Sequence, residues 1–380
     1  MGHQFFNLKP AAAGRLLVLA GFMASAGLAS AQSSVQVFGI IDAGILTQTN
    51  SADSKKTKTR LETSGLRQSV WGLKGTEDLG GGLKAFFNLE SHFDTDTGHI
   101  HGTGDSNQSG TILFRRQANV GLTGDWGTVI LGRQYGPALL AHIGTEPRAF
   151  KEQFSNLYAW AYNQLDGFAG PGAAGNTNDV GIFMSNAVQY RNNFGPVTVG
   201  VLYAFGEQSK KISRGNTFAI GVNYNGPVVL SGSYQVMKDK ASGEDIIEHY
   251  GLGAAVPFGD FTFKLSWLRG ENSGADGVET SKVDGISGGV DWKWSPSNSA
   301  TLAYYDNKDK NHSSNHTKNF IISNDLFLSK RTTFYTQVAI VDAGKGSTGI
   351  AAFKTSVVAD ASYLPNKTTT FLNVGINHTF

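Results

Sequence analysis

The chain has 380 residues, with 32 lysines and arginines, 30 aspartates and glutamates, 48 glycines and no cysteine. Because the two signs of charge nearly cancel, the composition gives no support for a nucleic-acid partner. The lack of cysteine excludes a disulfide framework, thiol catalysis and a zinc–thiolate site.

Residues 1–31 have the features of a secretory signal peptide. Lys9 and Arg15 form a basic start, a short apolar run follows, and residues 29–31 are a small-residue cleavage site, so the mature chain is predicted to begin near Gln32. A membrane anchor is the alternative, but the apolar run is shorter than the roughly 20 residues of a spanning helix. Removal of the two leader bases leaves 32 − 2 = 30 basic and 30 acidic residues, a formal charge of zero.

The rest of the chain shows aromatic or branched residues at every second position. In 197–206, for example, Val197, Val199 and Val201 alternate with small or polar residues. This alternation predicts strands with one apolar and one small or polar face. A soluble β-sandwich also alternates, but lipid outside a barrel and water inside it account for both faces.

Sixteen strands are predicted, an even number as in bacterial single-chain barrels. They cover 35–46, 66–75, 82–93, 113–123, 127–134, 186–194, 197–206, 215–225, 228–238, 247–257, 260–271, 282–294, 299–308, 316–328, 332–342 and 369–380. Because every backbone polar group within lipid must be paired, the sheet has to close on itself. The predicted fold is an all-β, sixteen-stranded antiparallel transmembrane β-barrel.

Short and long connections alternate between these strands. Short ones such as 195–196 carry turn residues and are predicted to face the periplasm, whereas longer polar ones such as 47–64 and 343–368 face the outside. The connection 135–185 has about fifty residues, and we expect it to fold into the lumen as a constriction loop. Residues 32–380 are thus predicted to form one barrel domain.

Several separated motifs, found in order along the mature chain, resemble those of the Gram-negative trimeric general porins. They are Trp71-Gly72-Leu73-Lys74-Gly75, Phe114-Arg115-Arg116-Gln117-Ala118, Leu131-Gly132-Arg133-Gln134-Tyr135-Gly136, Leu328-Ser329-Lys330-Arg331-Thr332 and the terminal Val374-Gly375-Ile376-Asn377-His378-Thr379-Phe380. The resemblance implies a homotrimer of sixteen-stranded barrels in the outer membrane, each with its own water-filled channel and an inward third loop. It also implies that Phe380 is an assembly signal read by the barrel-insertion machinery.

The same resemblance implies the surroundings of the barrel. We expect outer-membrane lipid and lipopolysaccharide around it, small ions and solutes within it, and no cofactor.

A further implication of the resemblance is a constriction in which wall arginines face acids on the inward loop. Arg116 and Arg191 stand at the matching positions, and strand parity directs Arg191 to the lumen. A rim position or a subunit contact is the alternative for each. The third wall arginine of the family is replaced by Val70, which weakens an expected preference for anions unless Lys74 or Arg67 substitutes.

Acids on the loop side of the constriction are less constrained by pattern. Glu146, followed by Pro147, is the first candidate, and Asp166 is a second, with a solvated surface acid as the alternative. Asp42 faces inward by parity and is expected to line the pore or to hydrogen-bond the inward loop.

Three further residues have weaker functional interpretations. Arg133 shares the parity of Leu131, which favours a subunit interface or a strand end, with a pore-lining position as the alternative. His99 and His101 lie near Asp96 in an outer connection, and these residue types bind divalent metals. Solvated loop residues are the favoured interpretation, so no metal site is predicted.

The sequence thus favours a porin for passive diffusion of small hydrophilic solutes and ions, and not an enzyme. Nothing in the chain resembles an ATP-binding loop, and strand parity brings together no acid–base pair or Ser–His arrangement. Two alternatives remain open: a substrate-selective channel for small anions or organic acids, and a surface adhesin that binds ligands through its loops with a closed lumen. The sign of the ion selectivity is also open.

Overall fold

A computed structural model describes residues 34–51, 54–100, 112–161, 181–209, 211–344 and 366–380. The strands are β1 (Ser34–Gln48), β2 (Lys58–Thr63), β3 (Val70–Gly80), β4 (Leu83–His92), β5 (Gln117–Gly124), β6 (Gly127–Tyr135), β7 (Phe183–Phe194), β8 (Val197–Ala204), β9 (Thr217–Asn225), β10 (Val229–Lys238), β11 (Asp245–Phe258), β12 (Phe261–Ser273), β13 (Glu279–Ser295), β14 (Asn298–Asp309), β15 (His316–Phe327), β16 (Thr332–Ala343) and β17 (Thr368–Thr379). Two short helices, α1 (Pro137–His142) and α2 (Asn156–Ala161), lie between β6 and β7. Within the described residues, no helix is long and apolar enough to cross a membrane.

The strands form one closed antiparallel sheet. β1 pairs with β17 on one side, and on the other it pairs with β3 along its first half and with β2 along its second half. β2 and β3 are therefore two pieces of one barrel strand, and the 17 strand segments make 17 − 1 = 16 barrel strands. Closure leaves no unpaired edge for lipid to contact, and the predicted fold is confirmed.

The second barrel strand differs from its prediction. The sequence placed an outer connection at 47–64 and a strand at 66–75, whereas the ladder already resumes at Lys58 and is then interrupted at 64–69. The interruption begins at Ser64, whose φ of 63° lies in the left-handed region. Period-2 alternation cannot reveal such a break, because it depends on a partner elsewhere in the chain.

The two faces of the barrel have opposite chemistry. Outward positions are exposed and apolar, for example Val120, Leu252 and Ile322, whereas inward positions are polar or small. Inward apolar residues such as Leu202 and Phe371 are fully buried, because they pack against the segment that contains α1 and α2. The hydrophobic core thus lies inside the barrel, between this segment and the wall.

The last residue completes the seam between the first and last strands. Gly39 N donates to Phe380 O at 3.2 Å, and Phe380 N donates to Gly39 O at 3.0 Å. A Cβ on Gly39 would lie 2.3 Å from the ring of Phe380. Glycine at this position therefore leaves the space that the terminal ring occupies.

Several sequence-based expectations fall outside the described residues. They concern the signal peptide at 1–31, the loop acid Asp166, the metal candidate His101 and the central part of the loop at 135–185.

Candidate functional site: the lumen of the barrel

The segment from Gly136 to Ala161 lies inside the barrel against the inner wall. Wall glycines permit the close approach of α1, because a Cβ on Gly200 would lie 2.8 Å from Pro137 Cβ and one on Gly221 would lie 2.0 Å from Pro137 O. We call residues 136–161 the inner segment. Its contacts with the wall determine which charges remain accessible in the lumen.

Glu146 does not line a water-filled pore, contrary to its expected place on the acidic side of the constriction. Its carboxylate is fully buried and accepts hydrogen bonds from Tyr305 Oη at 2.5 Å and from Arg148 N at 2.9 Å. Burial raises the pKa of Glu146, because the charged form loses its water. The residue instead joins the inner segment to the wall at β14.

Arg148 is a second anchor of the inner segment, and it is also fully buried. Its guanidinium donates to Ser323 Oγ at 3.1 Å, to Gln337 Oε1 at 3.0 Å and to Gln153 O at 3.2 Å. The first two partners belong to β15 and β16. One planar side chain thus connects the inner segment to two wall strands through directed hydrogen bonds.

Asp42 also fails to line the pore, because its carboxylate is fully buried. Its two oxygens accept three backbone hydrogen bonds from Gly65, Leu66 and Arg67 at 2.7, 3.1 and 3.2 Å. Tyr335 Oη donates to it at 2.8 Å. Asp42 therefore holds the interruption at 64–69, which is a different segment from the inward loop that the sequence suggested.

The interruption at 64–69 contacts the inner segment directly. Glu152 N donates to Leu66 O at 2.9 Å, and Gln68 Nε2 donates to Glu152 Oε1 at 3.1 Å. The two irregular segments thus stabilise each other within the lumen. Arg67, at the centre of the interruption, is left at the surface of the remaining open space.

Arg116 does not present a free charge to the pore, although the sequence placed it on the basic wall. Its guanidinium forms an ion pair with Glu90 and also donates to Gln68 and Tyr135. The residue is only 9% exposed. Because an acid compensates the charge at contact distance, Arg116 adds little to the field in the lumen.

Other predicted wall residues take varied places. Arg191 lies on the inward face of β7 near the periplasmic end and is exposed, and Lys74 lies on the inward face of β3 with its Nζ 5.1 Å from the centre of the Phe38 ring. Arg133 lies near the end of β6 and donates to Ser185 Oγ at 2.6 Å. His99 is exposed in an outer connection.

An open cavity of about 540 Å³ remains between the interruption, the inner segment and the last strands. Four basic side chains line it, together with a single acidic one. They are Arg67, Lys151, Lys330, Arg331 and the acidic Asp325. Asp325 is already paired with Lys151, at an Nζ to Oδ2 distance of 2.9 Å.

Sequence reasoning missed the anchoring role of Arg148 and the cavity position of Lys330 and Arg331. The last two residues were visible only as part of a turn motif between two strands. Arg148 follows Glu146-Pro147 within a loop, where strand parity gives no direction. Arg67 was noted as a substitute for the base missing at Val70, and Val70 itself is only 2% exposed.

The contact of His142 with the wall makes the stability of the barrel depend on pH. Its Nε2 and Nδ1 lie 2.7 Å from Ser233 Oγ and 2.8 Å from Ser231 Oγ, and burial lowers its pKa to about 4. The pKa of His142 is lower in the folded protein than in the unfolded chain, so the neutral imidazole favours the folded state. This stabilisation is complete above about pH 6.5 and is lost as the pH falls towards 4. At about pH 4.5 we expect a loss of roughly 2 kcal/mol.

The measurement is the temperature at which the folded band converts to the unfolded band on a gel, at neutral pH and at about pH 4.5. His142→Gln keeps a polar side chain that does not titrate, so its temperature should fall less over the same interval. Equal falls in both proteins would contradict the role of His142. Glu146 has a raised pKa, so its effect on stability runs the other way as the pH falls. Both proteins contain Glu146, so the difference between their changes in unfolding temperature excludes its effect.

Comparison with known proteins agrees with this architecture. A model of the Gram-negative porin family matches residues 16–346. The outer membrane porin protein 32 of Delftia acidovorans is 32% identical over 393 residues, which cover 96% of this chain and 99% of that protein. An outer membrane porin protein of Bordetella pertussis is 31% identical over 291 residues, or 66% of this chain and 67% of that protein.

Solved structures give the same result. An anion-selective porin from Comamonas acidovorans superposes with a TM-score of 0.76 at 27% identity, and the match covers 92% of this chain and 100% of that one. The family match spans most of the sequence, and the closed barrel is the fold expected from it. The chain belongs to the Gram-negative porin family and is a porin of the bacterial outer membrane.

Proposed function

We propose that this porin is a non-enzymatic homotrimeric diffusion channel with a preference for small anions. The observation that carries the preference is the composition of the 540 Å³ cavity, which is lined by four bases and one acid. That acid, Asp325, pairs with one of the four, Lys151, so three bases remain without an acidic partner in the cavity lining. Fixed charges around a narrow aqueous gap bias which ions enter. The inner segment and the interruption at 64–69 together form the constriction in this proposal.

Charge pairing elsewhere in the lumen also supports a preference for anions. Glu90 pairs with Arg116, and Asp291 pairs with Lys264 at 2.7 Å. Within the part of the chain that the structure describes, Arg191 has no acidic partner. The exposed charge left over from these pairs, at Arg191, is basic, which agrees with the anion selectivity named for the porin of Comamonas acidovorans.

The outer surface supports a homotrimer with a defined contact face. Outward positions of β17, β1 and β5 carry apolar residues through most of their length, for example Ile376, Ile45 and Val120. This face suits packing against two further copies, with Arg133 at its border on β6. The remaining outer wall then contacts lipid and lipopolysaccharide, and Phe380 serves the insertion machinery as the terminal aromatic.

The reversal potential of the purified, refolded protein in a planar bilayer under a salt gradient tests the preference. We expect a reversal potential with the sign that preferential anion flow produces, and conductance steps in groups of three. Arg67→Gln combined with Arg331→Gln removes two cavity charges and should at least halve the ratio of anion to cation permeability.

The matched control combines Lys238→Gln with Lys282→Gln, which removes two charges from the outer surface of the barrel. Its reversal potential should equal that of the unmodified protein. Cation selectivity of the unmodified protein would contradict the proposal. Saturation of the current by an organic acid would favour the substrate-selective channel, and a silent bilayer would favour the adhesin.

A further inference from the structure

One aromatic side chain on the inner face of the barrel wall is exposed. Phe327 ends β15, and the strand register pairs it with Thr333 on β16. It continues the inward positions of Ser323 and Asp325, so its ring faces the lumen. The ring is 44% exposed, and along the regular ladders of the described strands it is the single exposed large apolar side chain that faces inward. Lipid outside the barrel therefore cannot account for it.

Phe327 is part of an apolar surface in the cavity of about 540 Å³. Leu66, Ala149, Phe150 and Pro296 line the same cavity. Phe150 is half-buried, and Ala149 and Pro296 are exposed. Apolar side chains that gather in a concave site next to a few polar groups are typical of a place where the apolar part of a ligand binds.

The backbone of the inner segment turns where Phe150 reaches the cavity. Ala149 and Phe150 have φ angles of 51° and 68°, which both lie in the left-handed region. This conformation is unfavourable for residues with a Cβ, so other contacts have to compensate for it. The ring of Phe150 stacks on Tyr158 with 4.4 Å between the ring centres and an angle of 4° between the planes. Tyr158 thus supports an aromatic ring that lines the cavity.

Three bases lie around this apolar surface. Arg67, Lys330 and Arg331 are exposed and line the cavity. Among the described residues, the lining contains one acid, Asp325, which already has an ion-pair partner. The terminal carboxylate belongs to Phe380, which is not part of the lining. Because a planar guanidinium binds a carboxylate through two parallel hydrogen bonds, the cavity combines carboxylate-binding groups with aromatic rings.

We propose that this cavity binds aromatic carboxylates, with the carboxylate at Arg67 or Arg331 and the ring against Phe327 and Phe150. The inference rests on the proposed anion preference of the same cavity, and it names the class of solute. A small charged solute leaves the apolar surface in contact with water, and a neutral aromatic solute leaves the bases without an anion. A solute that carries both groups satisfies both parts of the cavity.

Fluorine NMR of para-fluorobenzoate with the purified, refolded protein in detergent micelles tests the proposal. Its dissociation constant should be about fivefold lower than that of fluoroacetate, which has the charge without the ring, and than that of para-fluorobenzamide, which has the ring without the charge. Phe327→Thr should raise the dissociation constant of para-fluorobenzoate about fivefold and leave that of fluoroacetate unchanged. Arg331→Gln should weaken the binding of both carboxylates. Unchanged binding of fluoroacetate also shows that the cavity of the Phe327→Thr variant is intact.

The matched control is Phe263→Thr, which removes a ring that is 51% exposed on the outer face of β12. It should bind all three probes as the unmodified protein does, and it accounts for the uptake of probe by the micelles. Equal binding of para-fluorobenzoate by the unmodified protein and the Phe327→Thr variant would overturn the proposal. Equal binding of para-fluorobenzoate and fluoroacetate by the unmodified protein would do the same.

The reversal potential separates this inference from the proposed function. Phe327→Thr alters no charge, so its reversal potential in a gradient of a simple salt should equal that of the unmodified protein. Anion selectivity without preference for the aromatic probe would remove the inference and leave the proposed function in place. Cation selectivity of the unmodified protein would contradict the proposed function itself.

Discussion

Replacement of Arg148 by alanine is expected to release the inner segment from the barrel wall. The substitution removes donors from Ser323, Gln337 and Gln153, and it leaves a cavity at a fully buried site. Each buried acceptor left without a donor costs about 1–3 kcal/mol, so the loss of three donors costs about 3–5 kcal/mol after water entering the lumen reduces the sum. We expect a loss of this size in the docking free energy of the inner segment.

Limited proteolysis and single-channel recording measure this effect. The variant should be cleaved faster within residues 136–161, and its current should be larger and noisier than that of the unmodified protein. Arg148→Lys keeps the charge without the planar fork and should be intermediate. The control is Arg331→Ala, at an exposed site, which should be cleaved at the same rate as the unmodified protein. If the Arg148→Ala variant is also cleaved at that rate, Arg148 does not anchor the inner segment.

Replacement of Asp42 by alanine should disorder the interruption at 64–69. The carboxylate accepts bonds from three backbone amides, from Tyr335 and from Asn377, all in the barrel interior. Each buried donor left without a partner costs about 1–3 kcal/mol, and water that enters the lumen reduces the sum. We expect a net loss of about 3–5 kcal/mol.

The effect on function should follow from Arg67, which the interruption carries to the cavity. Asp42→Ala should lower both thermal stability and anion selectivity, whereas Arg67→Gln should lower selectivity alone. Asp78→Ala is the control, because that exposed acid accepts a single turn hydrogen bond from Gly80 at 2.9 Å. Full anion selectivity in the Asp42→Ala variant would show that Arg67 keeps its place without the carboxylate.

Strand alternation was sufficient to predict the barrel and most of its ladder. For β8, β9 and β10 the predicted bounds agree with the structure within about two residues. The pattern succeeds because lipid and water impose opposite demands on the two faces of every strand. It failed at 64–69, where a carboxylate from β1 captures three amides and competes with the ladder.

Strand parity also predicted which side of the wall a residue occupies, but not whether its charge is accessible. Asp42 was predicted to face inward and does so, yet its carboxylate is buried in contacts. Residues of the inner segment, such as Glu146, lie outside the strands, so strand alternation assigns them to neither face. Their burial depends on how that segment packs against strands more than a hundred residues away.

The sequence by itself determined the closed barrel, its outer-membrane location and its family, because these follow from local periodicity and from motifs that lie within single strands and turns. Only the tertiary structure decided which charges act in the pore. Arg116 meets Glu90, whereas Arg67, Lys330 and Arg331 come together around one cavity. Ion pairing requires contact between distant parts of the chain, and a pattern with a period of two residues contains no information about it.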